Sequence, residues 1–234
     1  MKKICIFLLC CLMIITTSVA AEMKFNDIDD HWAENVIEKW QDSGYINGYP
    51  DGSFKPNNPV TRAELSKILS SAFELEKTTE LNYEDTSNSE WYYPYLEKTA
   101  SYIPMYSLPT LYESNIPYSE NQGKNKFLPT DKAIRMHVAE ALVKIKLDRE
   151  NIDIEELSIQ QINEQVKAVF KDDDYSSLIA IPGSGIPQNV QRMNKYTWLA
   201  YKLDIMIGSD GYFNPYGYMT RAELITAIDR IINN

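Results

Sequence analysis

The pentapeptide Thr-Arg-Ala-Glu-Leu occurs at 61–65 and again at 220–224, each time at the same distance behind a Phe-x-Pro triplet, Phe54-Lys55-Pro56 and Phe213-Asn214-Pro215. A weaker third copy joins Phe127-Leu128-Pro129 to Ile134-Arg135-Met136-His137-Val138 and keeps only the Arg. Thr and Glu at this spacing form a capping box, so helices are expected to open at Thr61 and Thr220. Arg62, Arg135 and Arg221 then lie in the first turn of a helix. Unpaired backbone N–H groups and the helix dipole favour an anion there, and a guanidinium adds a planar donor fork. The chemistry this points to is carboxylate recognition. A carboxylated sugar fits, with aromatic surface covering the apolar face of the pyranose. Two plainer readings stand beside it. Thr61, Glu64, Thr220 and Glu223 are accounted for as caps, and each Arg could instead be the ion-pair partner of an Asp in the same domain. The changed neighbours Met136 and His137 suggest a degenerate groove at Arg135.

Little else in the chain could do chemistry. All three Cys, at 5, 10 and 11, fall within residues 1–21, which read as a signal peptide: basic Lys2 and Lys3, an apolar run from Ile4 to Ile15, and small residues up to Ala21. The expected mature chain has no thiol, hence no disulfide, Cys-ligated metal or Cys nucleophile. His31 and His137 are the only histidines, and both read as structural. No catalytic residue, metal ligand set or cofactor is therefore expected. Asp27-Asp29-Asp30 and Asp172-Asp173-Asp174 could attract calcium, but neither follows a full loop of alternating ligands. Paired carboxylates could hydrolyse a glycosidic bond, yet every candidate acid already sits at a helix start or turn.

The elements that would position the three Arg follow from the repeat. Upstream of each copy stands an aromatic-x-Asp motif: Phe25-Asn26-Asp27, Tyr83-Glu84-Asp85 and Phe170-Lys171-Asp172. A helix capped by Asp29 or Asp30 should carry Trp32, Val36, Ile37 and Trp40 on one face and stop at Ser43-Gly44. A glycine-rich turn follows, Gly48 with Pro50-Asp51-Gly52, echoed by Gly208-Ser209-Asp210-Gly211. Each second helix has one apolar stripe: Leu65, Ile68, Leu69, Ala72 and Phe73; Ile134, Val138, Ala141, Leu142 and Ile145; and Leu224, Ile225, Ile228, Ile231 and Ile232. Three such stripes can bury one another.

Composition narrows the field. The 234 residues hold 23 Lys+Arg against 33 Asp+Glu, a net charge of −10; without Lys2 and Lys3 the balance is 21 against 33, or −12. Nucleic acid is not an expected partner, because phosphate tracking rests on clustered cations. The apolar run at the start is shorter than the roughly 20 residues a bilayer needs, so no membrane segment is expected once the signal is cleaved. Sixteen Tyr and four Trp suit sugar-binding surfaces as well as cores.

These residues together resemble the S-layer homology domain family. The first unit carries Phe25-x-Asp27-Ile28, His31-Trp32-Ala33, Gly44-Tyr45-Ile46-x-Gly48, Tyr49-Pro50-Asp51-Gly52-x-Phe54-x-Pro56 and Thr61-Arg62-Ala63-Glu64. The third matches from Gly208 to Glu223, and the second departs most. The resemblance implies a mainly α fold, with three helix-loop-helix units in a pseudo-threefold arrangement around a central three-helix bundle, and grooves between neighbouring units. It divides the chain into the signal peptide 1–21, unit one at 22–80, a divergent unit two at 81–150, a connecting helix at 151–169 and unit three at 170–234. It implies a secreted, non-enzymatic module held at the bacterial cell wall by secondary cell-wall polysaccharide, bound through a pyruvylated sugar. Carried over by motif, Arg62, Arg135 and Arg221 meet the ketal carboxylate, and Asp27, Asp85 and Asp172 bond sugar hydroxyls or orient the groove. Gly48, Gly208, Tyr49, Trp32 and Trp91 shape the wall, although the two Trp also read as partly core.

Two insertions interrupt the pattern: an aromatic, Pro-rich stretch at 101–126, and a Pro/Gly loop at 181–187. The first could line a modified groove, contact another protein or pack on itself. The last expected helix runs to the end of the sequence, so the further domain usual in the family is not expected. The alternative is thus an envelope adaptor that binds another exported protein and whose glycan grooves are degenerate. A wall glycosidase is the weakest reading.

Overall fold

The computed structural model describes residues 24–77, 81, 83–104, 126–154, 157–172 and 188–233, with the backbone alone at 188–191. The expected signal peptide, most of the 101–126 insertion and the 181–187 loop lie outside the described residues. Among the described residues seven helices follow one another: α1 (Glu34–Asp42), α2 (Arg62–Ala72), α3 (Tyr93–Thr99), α4 (Arg135–Glu150), α5 (Ile159–Val169), α6 (Gln188–Lys202) and α7 (Arg221–Asn233). The fold is mainly helical, as expected, and none of the described helices is long and apolar enough to cross a membrane.

Local sequence sets most helix ends. Thr61 caps α2 through the Glu64 backbone N–H while the Glu64 side chain returns to the Thr61 N–H at 2.8 Å. Thr220 and Glu223 make the same reciprocal pair at α7. Ser158 and Gln161 build a third capping box, so the extra helix opens at Ile159, later than the stretch from Asp153 that the sequence suggested. The start of the first helix also differs from expectation. Neither Asp29 nor Asp30 caps it; α1 begins at Glu34 behind Ala33. Residues 28–34 first wind through two tight turns, His31 N–H to Ile28 O and Glu34 N–H to His31 O, with Asp30 at φ 59° and the His31 ring accepting from the Ala33 N–H. Those turns lift Trp32 off the helix.

The helices interlock in cyclic order. α3 packs on α2, α6 on α4, and α1 on α7; α4 also touches α7, and α5 lies against α6. The first helix of each repeat copy thus packs on the second helix of the copy before it, and the last helix takes the first. Trp40 and Lys39 of α1 seal that closing contact, donating to Asp229 Oδ1 of α7 at 2.8 and 2.7 Å. At the centre three buried residues exchange backbone hydrogen bonds around a closed triangle. Val60 N–H donates to Met219 O, Met219 N–H to Ala133 O and Ala133 N–H to Val60 O, all within 2.9 Å. No donor or acceptor of the triangle is left facing the apolar interior, where an unpaired one would cost about 1–3 kcal/mol.

The apolar stripes are buried as expected, except that Ile68 is half-buried and Ile232 exposed. α4 is covered almost all round: besides its stripe, Met136, His137, Ala139, Glu140 and Val143 are also buried. A helix packed on several sides gives up a single polar face.

Candidate functional site: clefts built on a repeated Asp–Phe–Arg lock

One arrangement occurs three times. The Asp27 carboxylate accepts the N–H groups of Phe54 and Lys55 at 2.7 and 2.8 Å. Asp85 does the same for Phe127 and Leu128 at 2.8 and 2.7 Å, and Asp172 for Phe213 and Asn214 at 2.5 and 3.2 Å. Lys55, Leu128 and Asn214 all stand in the left-handed region, at φ 57°, 57° and 54°, which is costly for a residue with a Cβ. The two-pronged acceptor holds the chain there. Phe54, Phe127 and Phe213 are consequently sunk in the core, each with its carbonyl turned toward an Arg of another copy.

The Arg side chains complete the lock in cyclic order. Arg62 Nε donates to Phe127 O at 2.7 Å, Arg135 Nε to Phe213 O at 2.8 Å, and Arg221 Nε to Phe54 O at 2.7 Å. Each guanidinium also lies 4.5–5.6 Å from the ring centroid of the same Phe. The helix starts dock on the same loops: Arg62 and Ala63 N–H donate to Asp131 O and Pro129 O, Arg135 and Met136 to Gly217 O and Pro215 O, Arg221 and Ala222 to Asn58 O and Pro56 O. Two of the helix-start N–H groups that could have held an anion are therefore already used in each copy.

The remaining guanidinium nitrogens distinguish the three sites. The Arg are 4, 9 and 7% exposed at 62, 135 and 221. NH1 of each turns to the third residue of the next second helix, which is His137 for Arg62 (3.2 Å), Glu223 for Arg135 (2.6 Å) and Glu64 for Arg221 (3.9 Å). NH2 of Arg62 donates to Pro104 O and NH2 of Arg221 to Asn47 O. The Asp carboxylates are not the Arg partners; they are occupied by backbone. Met136 and His137, taken from sequence as a sign of change at Arg135, belong to the helix facing Arg62 instead. Burial holds His137 well below the ordinary histidine range, with Arg62 and then Arg192 adding to the effect. The imidazole is thus neutral and accepts from Arg62.

Among the described residues two open clefts lie between copies. One, of about 320 Å³, is lined by Arg221, Glu64, Lys67, Trp91 and the 45–49 turn with Gly48 and Tyr49. The other, of about 410 Å³, is lined by Arg135, Glu223, Arg230, Trp32, Asn57, Met206, Met219 and the 205–209 turn with Gly208. Each thus joins an Arg, an aromatic and a glycine turn from three copies. Trp32 and Trp91 are 64 and 54% exposed, so the reading of them as partly core does not hold: both sit on turns ahead of their helices. Gly48 and Gly208 have a steric duty as well. A Cβ at 48 would stand 2.3 Å from the Phe25 ring, and one at 208 would stand 2.5 Å from Tyr212 O at a φ of 74°. Arg62 lines neither cleft. Lys67, Arg230 and Asn57 were not singled out from sequence. Aligning the copies from their Arg would have exposed the first, since the residue five places on is Lys67, Glu140 or Thr226. Among the described residues no group of three or more His, Cys, Asp or Glu is gathered to hold a metal.

The family model of the S-layer homology domain matches residues 24–66, and this part of the chain is such a domain. Cell surface glycoprotein 1 of Acetivibrio thermocellus is 49% identical over 51 residues, 22% of this chain and 2% of that protein. The cellulosome-anchoring protein of the same organism is 40% identical over 58 residues, 25% of this chain and 12% of the relative. S-layer protein EA1 of Bacillus anthracis is 27% identical over 135 residues, 56% of this chain and 14% of the relative. The chain therefore spans only a small fraction of the length of these relatives.

Proposed function

We propose that this chain, with an S-layer homology domain at 24–66 and diverged copies at 81–150 and 170–234, is a noncovalent cell-wall anchoring module. It is exported, stays at the bacterial surface and acts without catalysis. Its ligand is secondary cell-wall polysaccharide bearing an acidic, pyruvylated sugar. The names of the relatives, a cellulosome-anchoring protein among them, support attachment to the surface. The observation that carries the reading is the pair of clefts, each lined by an exposed Trp, an Arg and a glycine turn. The Trp ring of each cleft covers the apolar face of a pyranose, and Arg221 meets the acid. Arg62, engaged by Phe127 O, Pro104 O and His137, serves as a structural lock, and the two clefts found among the described residues do the binding. Two weak sites on one chain facing a polymer gain by effective concentration, so retention exceeds the affinity of either.

Co-sedimentation with purified walls tests this. Wild-type protein should pellet with native walls and stay in solution with walls stripped of secondary polysaccharide. The Trp32→Ala, Trp91→Ala double variant alters only exposed rings and should fold normally yet fail to pellet. Undiminished binding to stripped walls would favour the adaptor reading and reject the glycan one.

A further inference from the structure

We infer that Lys67 sets the charge preference of the Arg221 cleft, which takes the carboxylated sugar, while the Arg135 cleft takes an uncharged sugar residue of the same polymer. This rests on the glycan reading above. Each cleft combines an Arg from one copy with the second helix of the next, so Lys67 and Thr226, five places beyond Arg62 and Arg221, each line a cleft built on another copy's Arg. In the Arg221 cleft it is Lys67, half-buried and without a hydrogen bond or ion pair among the described residues. Glu64, the one carboxylate in that lining, has partners of its own. Glu64 Oε2 is taken by the Thr61 cap, and Oε1 receives the Tyr49 hydroxyl at 3.4 Å. Arg221 NH1 stays 3.9 Å from Glu64, beyond hydrogen-bond reach. The Lys67 ammonium and NH1 of Arg221, whose other nitrogens are held by Phe54 O and Asn47 O, therefore line one cleft of a chain whose net charge is −10, and a carboxylate satisfies both.

The other cleft is already balanced. Glu223 Oε1 holds Arg135 NH1 at 2.6 Å, so an entering carboxylate would meet an existing carboxylate. Thr226 replaces Lys67 and donates its hydroxyl to Ala222 O. The second cation, Arg230, lies four residues further along α7, roughly 6 Å at 1.5 Å per residue, and donates to Ile205 O. What remains for a ligand is the exposed Trp32, with Met206 and Met219 in the same lining, a surface for a neutral ring with apolar substituents.

Isothermal titration of the full chain with purified wall polysaccharide, and with the same polymer after carbodiimide–borohydride reduction of its carboxyls, separates the two clefts. Lys67→Met should weaken binding of the native polymer about tenfold, the effect of one lost charged hydrogen bond, and Lys67→Arg should restore it. Neither should alter binding of the reduced polymer, which wild type still takes and Trp32→Ala loses. If Lys67→Met matches wild type on the native polymer, or wild type ignores the reduced one, the assignment of charge to the clefts is overturned with anchoring intact. If wild type binds neither polymer, the anchoring reading itself fails.

Discussion

Removing the Asp229 carboxylate should open the ring at its closing contact. Asp229→Ala takes the acceptor from Trp40 Nε1 (2.8 Å), Lys39 Nζ (2.7 Å) and Asn233 Nδ2 (2.9 Å). Trp40 is buried, so its indole N–H loses its partner in a place water reaches poorly, at about 1–3 kcal/mol. Lys39 is half exposed; its share is solvent-screened to no more than about 0.5 kcal/mol. The sum is about 2 kcal/mol, which at a slope near 2 kcal/mol/M moves a urea midpoint down by about 1 M. Asp229→Asn, which keeps one acceptor oxygen, should lose roughly half of that, and Lys39→Ala less than about 0.3 M. Equilibrium unfolding followed by far-UV circular dichroism and Trp fluorescence reads all three, and the two probes should coincide if the ring unfolds as one unit. A shift below about 0.3 M for Asp229→Ala, or equal shifts for Asp229→Ala and Lys39→Ala, would refute the claim that the buried indole anchors the closure.

Acid should weaken the fold through His137. Its folded pKa is depressed by burial first, then by Arg62 and Arg192, so the native state binds fewer protons than the unfolded one. The associated stability is complete above the unfolded value near 6.5 and is lost as pH falls from there toward the depressed one, at about 1.4 kcal/mol per pH unit. Urea midpoints between pH 7 and pH 5 should fall for wild type and fall less for His137→Gln, which keeps an acceptor for Arg62. Gly208→Ala, with its Cβ 2.5 Å from Tyr212 O at positive φ, should cost about 2 kcal/mol or more in thermal unfolding and distort the Arg135 cleft. A fragment of residues 24–66 should give a disordered circular dichroism spectrum despite matching the domain model by itself, because α1 packs on α7 and the Arg62 lock needs Phe127.

Features that depend on a few neighbouring residues were legible in the sequence. The capping boxes at Thr61 and Thr220, the Gly44 stop of α1 and the three apolar stripes depend on residues close in the chain, and all are present. The partners of the three Arg were not legible, because they are carbonyls 65, 78 and 167 residues away and backbone atoms leave no mark on side-chain spelling. The same holds for Asp27, Asp85 and Asp172, whose motif was visible while its task, fixing a left-handed residue after each Phe, was not. Trp32 was misread because an apolar residue at helical spacing was counted into a helix that starts two residues later. The exchange of Glu for His at 137 was visible but was assigned to the wrong neighbour: within one copy it adjoins Arg135, and only the cyclic packing brings it to Arg62.

The closed triangle and the α1–α7 contact also impose an order on assembly. Trp40 and Asp229 are 189 residues apart, and bringing the ends of an unstructured loop of that length together costs about 5 kcal/mol of chain entropy before any contact repays it. Neighbouring copies can dock earlier over shorter separations, α3 on α2 and then α6 on α4, each shortening the remaining span. During synthesis α1 emerges first yet finds its main partner last, so its apolar face waits uncovered until α7 has been made. A nascent chain therefore cannot complete its fold before α7 leaves the ribosome.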